Sequence, residues 1–232
     1  MGPPSIYKES GGRGPAVAGK MGGFSPSPNP MNRSNARAHH ADALAALRAA
    51  TDSRHQQLDS GLPIGMPGAS LADYAGHLRM LRAWLAPLQA WLAGFDDGPR
   101  FEHGARLALI DADLADLADL AQPGMGADTC AALAPAWPAE ASAAYRWGVH
   151  YVIEGSQLGG AVLYGRLAER LAPHPLRYLQ GDAAGPGPRW RAFMQGLRAA
   201  VRTPAEIADA CAGACAAFDG ILGAGAQQRR AA

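Results

Sequence analysis

Apolar residues recur at helical spacing from about residue 38 onward, and no alternating strand pattern of any length interrupts them. The first predicted helix carries one stripe, formed by Leu44, Leu47, Thr51, His55 and Leu58. A second helix begins at a capping box, Ser70 with Asp73, and we expect Pro87 to bend it near its end. The pattern predicts an all-α domain.

The later helices are read from the same spacing and from Pro-Gly interruptions. A third helix stops at Pro123-Gly124; its apolar residues predict an inward face and its aspartates a mostly outward one. The inward set is Leu107, Ile110, Leu114 and Leu117, and the outward set is Asp111, Asp113, Asp116 and Asp119. A long segment over 140–171, with a break expected near its middle, precedes helices at about 188–202 and 204–222. We expect one bundle of about eight helices without an internal repeat.

Composition divides the chain. The first 36 residues hold seven Gly and six Pro and lack the apolar segment of a signal peptide. We therefore expect a disordered tail over 1–36, a helical domain over 37–223 and a flexible C-terminus over 224–232.

Charge and cysteine content narrow the class of protein. Residues 1–40 carry five basic groups and one acidic group, which leaves the other 192 residues with 16 basic and 19 acidic groups, a net charge of −3. A mildly acidic domain does not indicate binding to nucleic acid, which requires a basic surface. No stretch approaches the roughly 20 uncharged apolar residues of a membrane helix. Three cysteines favour a reducing, cytoplasmic location over a disulfide scaffold.

Three glycines stand inside one predicted helix, at Gly155, Gly159 and Gly160. Each costs about 0.8–1.0 kcal/mol relative to alanine, so their presence needs a reason. Gly155 and Gly159 share a helix face, with Gly160 beside it. Two interpretations remain open: close packing of a neighbouring helix, or clearance for a flat ligand.

The position of His55 favours the second interpretation, in which the glycine face makes room for a flat ligand. It lies on the apolar stripe of the first helix, where a neutral imidazole is either a core side chain or an axial ligand for haem iron. An inward histidine on one helix and a bare glycine face on another together provide what a planar haem sandwich requires.

The two segments resemble the haem oxygenase family, most closely its bacterial, bacteriophytochrome-associated branch. Leu-Arg-x-x-Thr-x-x-x-His-x-x-Leu-Asp at 47–59 is similar to that family's proximal helix. Tyr-Val-Ile-Glu-Gly-Ser-x-Leu-Gly-Gly at 151–160 is similar to its distal helix. The resemblance covers residues 38–222 in the expected order, and it implies a fold in which haem lies between these two helices.

The resemblance also implies roles for individual residues. His55 would be the axial ligand to the iron of haem b, and Arg48 and Arg191 would face the haem propionates, with Arg189 and Arg198 as further candidates. The catalytic distal face would be formed by Gly155, Ser156, Gly159 and Gly160. Thr51 and Leu158 would contact the haem.

One position departs from the family. Animal members carry an aspartate beside the first distal glycine, where this chain has Ser156. A hydroxyl can relay a hydrogen bond but cannot hold a negative charge, so the hydrogen-bond network must differ. His150 and Glu154 are weaker candidates because we expect a helix to turn them away from the glycine face. His77 and His103 are expected to be surface or hydrogen-bonded groups, and Cys211 and Cys215 small buried residues.

The resemblance implies an enzyme that opens haem to biliverdin, with release of CO and ferrous iron, using O2 and electrons from a ferredoxin or a flavoprotein reductase. A bacteriophytochrome would be the receiver of biliverdin. The alternatives are a haem carrier or sensor on the same scaffold, a cofactor-free or thiamin-related enzyme of the same helical superfamily, and a helical interaction module.

Overall fold

The computed structural model describes residues 42–101, 103–118 and 137–231. Regular structure in these ranges is entirely helical, which confirms the all-α prediction. The α-helices are α1 (Ala43–Gly61), α2 (Leu71–Leu92), α3 (Gly104–Asp116), α4 (Ala143–Leu167), α5 (Arg177–Gln180), α6 (Gly187–Ala200) and α7 (Pro204–Ala231), with a 3₁₀ turn at Pro63–Gly65. The tail over 1–36, Pro123-Gly124 and Asp119 lie outside the described residues.

Short polar side chains cap the N-termini of four helices, among them α7, where Thr203 and Glu206 form a reciprocal pair. The predicted capping box is formed: Ser70 accepts a hydrogen bond from the Asp73 amide at 3.2 Å, and the Asp73 carboxylate accepts one from the Ser70 amide at 2.8 Å. Asp42 caps α1 by accepting from the Leu44 amide, and Ser142 caps α4 by accepting from the Tyr145 amide. The helix that starts at Ser142 then runs without interruption to Leu167, through the segment where we expected a break.

The central helix is α7, which packs most extensively against α4 and also against α1 and α2. Where α7 crosses α4, a Cβ on Gly148 would lie 2.7 Å from the carbonyl carbon of Ala210 and 2.8 Å from the amide of Ala214. A Cβ on Gly213 would overlap the main-chain carbonyl of Tyr145. Only glycine permits two backbones to approach this closely, so tight helix packing accounts for Gly148 and Gly213.

The last turns of α7 extend beyond the predicted end near residue 222. A Cβ on Gly225 would meet the Met80 sulfur at 3.2 Å, and the Gln228 amide lies 2.6 Å from the Cβ position of Gly76. Met80 and Gly76 both belong to α2. Packing against α2 therefore stabilises the last turns of α7 as helix, although the glycines in these turns disfavour helix. The stretch expected to be flexible is therefore helical through Ala231.

Asp113 of α3 is fully buried, and the prediction that it faces solvent is wrong. Its carboxylate accepts hydrogen bonds from the Tyr74 hydroxyl at 2.6 Å, the Tyr178 amide at 2.9 Å and the Arg177 guanidinium at 2.9 Å. Donors from α2 and α5 thus replace the water that a buried carboxylate loses. The buried stripe of α3 and its flanks consists of His103, Arg106, Ile110, Asp113 and Leu117.

By length and composition alone, the span Pro204–Arg230 of α7 could also cross a membrane. In the bundle, its apolar side chains Ile207, Phe218 and Ile221 are buried in the core. Packing inside the protein therefore accounts for these three apolar side chains.

Candidate functional site

His55 projects from α1 toward α7, where its ring meets that of Phe218 edge-on with the centroids 4.4 Å apart. Burial lowers the pKa of the imidazole, although Asp52 opposes the shift. The ring is therefore neutral at physiological pH and offers a nitrogen lone pair. Thr51, one turn earlier, is buried and donates its hydroxyl to the Leu47 carbonyl at 2.8 Å.

A cavity of about 620 Å³ opens between α1 and α6. Its lining consists of Leu44, Arg48, Trp190, Arg191, Met194, Gln195 and Arg198. Arg48 is seven residues from His55, so the two share a face of α1 and lie about 10 Å apart along its axis. Three arginines around a cavity with apolar walls suit a ligand that combines an apolar body with carboxylates.

The distal glycines of α4 have more room than Gly148. The nearest atoms to a Cβ on Gly155 would be those of the Trp190 ring, at 3.9 Å, and a Cβ on Gly160 would meet a Leu179 methyl group at 3.8 Å. These are ordinary van der Waals separations, so no helix crossing requires glycine at either position. Because Trp190 also lines the cavity, it connects the Gly155 face to the arginines.

The two remaining distal positions lie on the same segment of α4. Gly159 is buried and Leu158 is half-buried. Gly155 and Gly159, four residues apart, give this part of the helix a partly enclosed face without side chains, and Leu158 lies one residue before Gly159.

Glu154, directly before Gly155, is buried in a cluster of charges. Its carboxylate accepts two hydrogen bonds from the Arg189 guanidinium, at 2.8 and 2.9 Å, and one from Arg106 at 2.7 Å. Burial alone would raise the pKa of Glu154, but the hydrogen bonds and charges of the two arginines outweigh it and lower the pKa. Arg189, a candidate for binding propionate, is therefore already engaged with α4.

His103 and His150 form a buried pair beside this cluster, with Nε2 of His103 and Nδ1 of His150 sharing a hydrogen bond of 3.1 Å. Burial lowers the pKa of His103 to about 2 and that of His150 to about 4. The pair and Glu154 lie close enough to hold a cation, but Arg106 and Arg189 oppose additional positive charge there. The cluster joins α3, α4 and α6 as a structural element.

Ser156 donates its hydroxyl to the Ile153 carbonyl at 2.8 Å. The neighbouring Gln157 amide donates to the hydroxyl of Tyr178 at 2.9 Å. Tyr178, on α5, was not anticipated from the sequence, because nothing in the local pattern indicates that a short helix in a connection will lie against α4.

The family model of Heme oxygenase matches residues 41–221 of the chain. The chain belongs to the heme oxygenase family. It is 37% identical over 147 residues to the heme oxygenase of Xanthomonas campestris pv. campestris (strain 8004), a match that covers 61% of this chain and 79% of that protein.

Among solved structures, the chain is similar to the NO- and CO-bound heme oxygenase from Neisseria meningitidis. The TM-score is 0.57 at 26% identity, and the match covers 83% of this chain and 94% of that one. The predicted family and enzyme class are thereby confirmed.

Within this fold, the predicted site residues are only partly brought together, and His55 lies against Phe218 and is not part of the cavity lining. Arg48, Arg191 and Arg198 line one cavity, and Gly155 is connected to that cavity through Trp190. Arg189 is directed to Glu154 instead. The residues that sequence reasoning missed are those joined across helices: Arg106, Asp113 and Tyr178.

Proposed function

We propose that this protein opens the haem macrocycle oxidatively to biliverdin, releasing CO and ferrous iron and consuming O2 and external electrons. The observation that carries the proposal is a cavity lined by three arginines and by Trp190, the residue nearest to Gly155; one of the arginines, Arg48, lies two turns before His55 on α1. Haem is the substrate; when bound, it supplies both the iron that activates oxygen and the ring that is oxidised.

His55 holds the iron from the α1 side. Its lowered pKa keeps the imidazole unprotonated, which a nitrogen ligand requires, and contact with Phe218 restricts rotation of the ring. Thr51 lies one turn away, and its hydroxyl is already donated to the Leu47 carbonyl of the same helix.

Arg48 and Arg191 hold the propionates, with Arg198 in reach of the same cavity. A guanidinium suits this task because it remains charged and can pair with a carboxylate through two hydrogen bonds. All three arginines are exposed in the protein alone, so their guanidinium groups can be reached by a ligand from solvent.

The distal face orients the ring against α4. Gly155 and Gly159 allow the macrocycle and a small gas molecule to approach the backbone, and Leu158 and Ser156 bound the space. Gly155 is half-buried and Gly159 is buried, so this face is partly shielded from bulk water and would leave room for the ring beside the backbone.

The reaction needs electrons that the substrate does not supply, so we propose a ferredoxin or a flavoprotein reductase as donor. The resemblance of the distal segment to the bacteriophytochrome-associated branch supports a bacteriophytochrome as receiver of biliverdin. The two described cysteines, Cys211 and Cys215, are free thiols, which supports the proposed cytoplasmic location.

The test is to mix the purified protein with haem, O2 and a reducing system, and to separate the products by chromatography. A Soret band after addition of haem, followed by a bilin and iron release, is the expected result. A stable haem complex that only returns to the ferric form would instead identify a carrier. A protein without a Soret change would contradict haem binding altogether.

A further inference from the structure

Trp190 of α6 lies between the glycine face of α4 and the cavity that the arginines line. Its six-membered ring points at Gly155, with Cζ3 and Cη2 each 3.9 Å from the Cβ position of that glycine. The same side chain lines the cavity together with Arg48, Arg191 and Arg198. One indole therefore borders both the place proposed for the propionates and the place proposed for the reacting oxygen.

The indole of Trp190 is supported from behind by other aromatic rings. It stacks on Phe193, with the centroids 5.4 Å apart and the planes at 23°, and it meets the ring of Tyr151 at 5.9 Å. Both neighbours are buried, and Phe193 packs in turn against Phe101 and Trp147. Because these rings are close-packed in the core, they leave the indole little freedom to retreat from the glycine face.

Two consecutive residues of α6 meet two consecutive residues of α4. Arg189 donates two hydrogen bonds to the Glu154 carboxylate, at 2.8 and 2.9 Å, and Trp190, the next residue, lies against Gly155. The carboxylate is buried and is also held by Arg106 of α3. Sliding α6 along α4 would break a buried ion pair, which is costly, so the position of the indole along the glycine face is fixed.

We propose that Trp190 is a specificity-determining residue, which contacts the edge of the haem macrocycle and decides which meso carbon faces the reacting oxygen. The inference rests on the proposed function, since it assigns a substrate contact within that site. A flat ring held at its centre by an axial ligand can still rotate in its own plane. Exposed arginines limit this rotation only loosely, because their long side chains have many rotamers. A rigid aromatic wall at a second edge selects one seating, since aromatic rings pack with defined geometry.

The experiment compares wild type with Trp190→Leu and Trp190→Phe, each given haem b, O2 and a reducing system. The first readout is the ratio of the biliverdin isomers, which chromatography separates. Trp190→Leu should change this ratio by about two- to tenfold, the range expected when one aromatic contact is lost. Trp190→Phe keeps a ring and should change it less. The total yield of bilin is recorded separately, because a defect in folding alone lowers the yield at a constant ratio.

The second readout requires no turnover. In the cyanide complex of ferric haem, the proton NMR shifts of the haem methyl groups depend on the rotation of the macrocycle relative to the axial imidazole. Trp190→Leu should change this pattern, and wild type should show nuclear Overhauser effects between the indole protons and those of the haem edge. Trp91→Phe is the matched control, which should leave the isomer ratio and the methyl pattern unchanged. Trp91 is also half-buried, but it packs with Phe95, Trp137 and Tyr145, which do not line the cavity.

A wild-type isomer ratio together with a wild-type methyl pattern in Trp190→Leu would overturn the inference. So would a wild-type complex that shows no Overhauser effect between the indole and the haem edge, and this measurement decides the question if neither variant folds. A haem complex that yields no bilin would contradict the proposed function alone, because the NMR spectra still test whether Trp190 contacts the ring. A wild-type protein that forms no Soret band would contradict both.

Discussion

At the level of single residues, His55 combines two properties that a ligand requires. Its ring is held against Phe218, and burial keeps it neutral. We predict that His55→Ala abolishes turnover while leaving weaker haem binding, because the arginines of the cavity and the apolar walls are unchanged. Soret titration and bilin yield measure the two effects separately.

The control for this variant is chemical. Imidazole added to His55→Ala can enter the space left by the side chain and should restore part of the Soret spectrum. Turnover equal to that of wild type, without added imidazole, would remove His55 from the iron site.

Single residues also show what a sequence can reveal. His55 can be proposed from the sequence alone because its position repeats the spacing of Leu47 and Thr51 on an amphipathic helix. Arg189 could not be assigned in this way, since its partner Glu154 lies 35 residues away and only the packing of α6 against α4 brings them together. Tyr178 is a second example, because it contacts Gln157 of α4 and Asp113 of α3, which are both far from it in sequence.

At the level of helices, the glycines of α4 serve two different purposes. Gly148 meets the backbone of α7, whereas Gly155 meets only the Trp190 ring at 3.9 Å. The sequence showed three costly glycines near residue 157 and did not distinguish them from Gly148, because helix crossings cannot be located from spacing on one helix.

This difference yields a prediction about stability. Gly148→Ala should destabilise the haem-free protein by about 1–3 kcal/mol, since the methyl group must push α7 away. Gly155→Ala should leave stability unchanged or raise it by up to about 1 kcal/mol, because alanine is the better helix former and has room. Urea unfolding of the two variants beside wild type measures the difference; equal destabilisation would show that the Gly155 face is also a packed crossing.

Helix ends were predicted less well than helix existence. The Ser70–Asp73 capping box was read correctly because both partners are three residues apart. The end of α7 was predicted too early, because Gly223 and Gly225 disfavour helix. The contacts that outweigh these glycines are made with Gly76 and Met80 of α2. Local signals are visible in a sequence, and packing between distant segments is not.

At the level of the whole molecule, the bundle buries ionisable groups in several places. Asp113 joins α2, α3 and α5, and Glu154 joins α3, α4 and α6. The histidines beside these clusters are neutral because burial excludes their charged forms. Folding therefore depends on the protonation of groups that are distant from the cavity.

This dependence gives a prediction with a definite sign. The pKa values of His77 and His150 are lowered from 6.5 to about 4, and that of His103 to about 2, in each case chiefly by burial. Below about pH 6.5 these histidines bind protons in the unfolded chain but remain unprotonated in the folded protein. The free energy of unfolding should therefore be highest above that pH and fall as the pH decreases toward 4, by up to about 1.4 kcal/mol per pH unit for each histidine.

His77 allows the clearest test, since among the described residues its Nδ1 is buried without a hydrogen-bond partner. Replacing it, as His77→Leu, removes one of the three titrations without breaking the His103–His150 pair. Urea unfolding at several pH values between about 7.5 and 5 should give a slope shallower than that of wild type by up to about 1.4 kcal/mol per pH unit. An unchanged slope would mean that His77 reaches water in the folded protein. Glu154 does not contribute to the slope between pH 7.5 and 5. Its pKa is lowered from the ordinary value of 4.5, so its contribution to acid unfolding appears only below that pH.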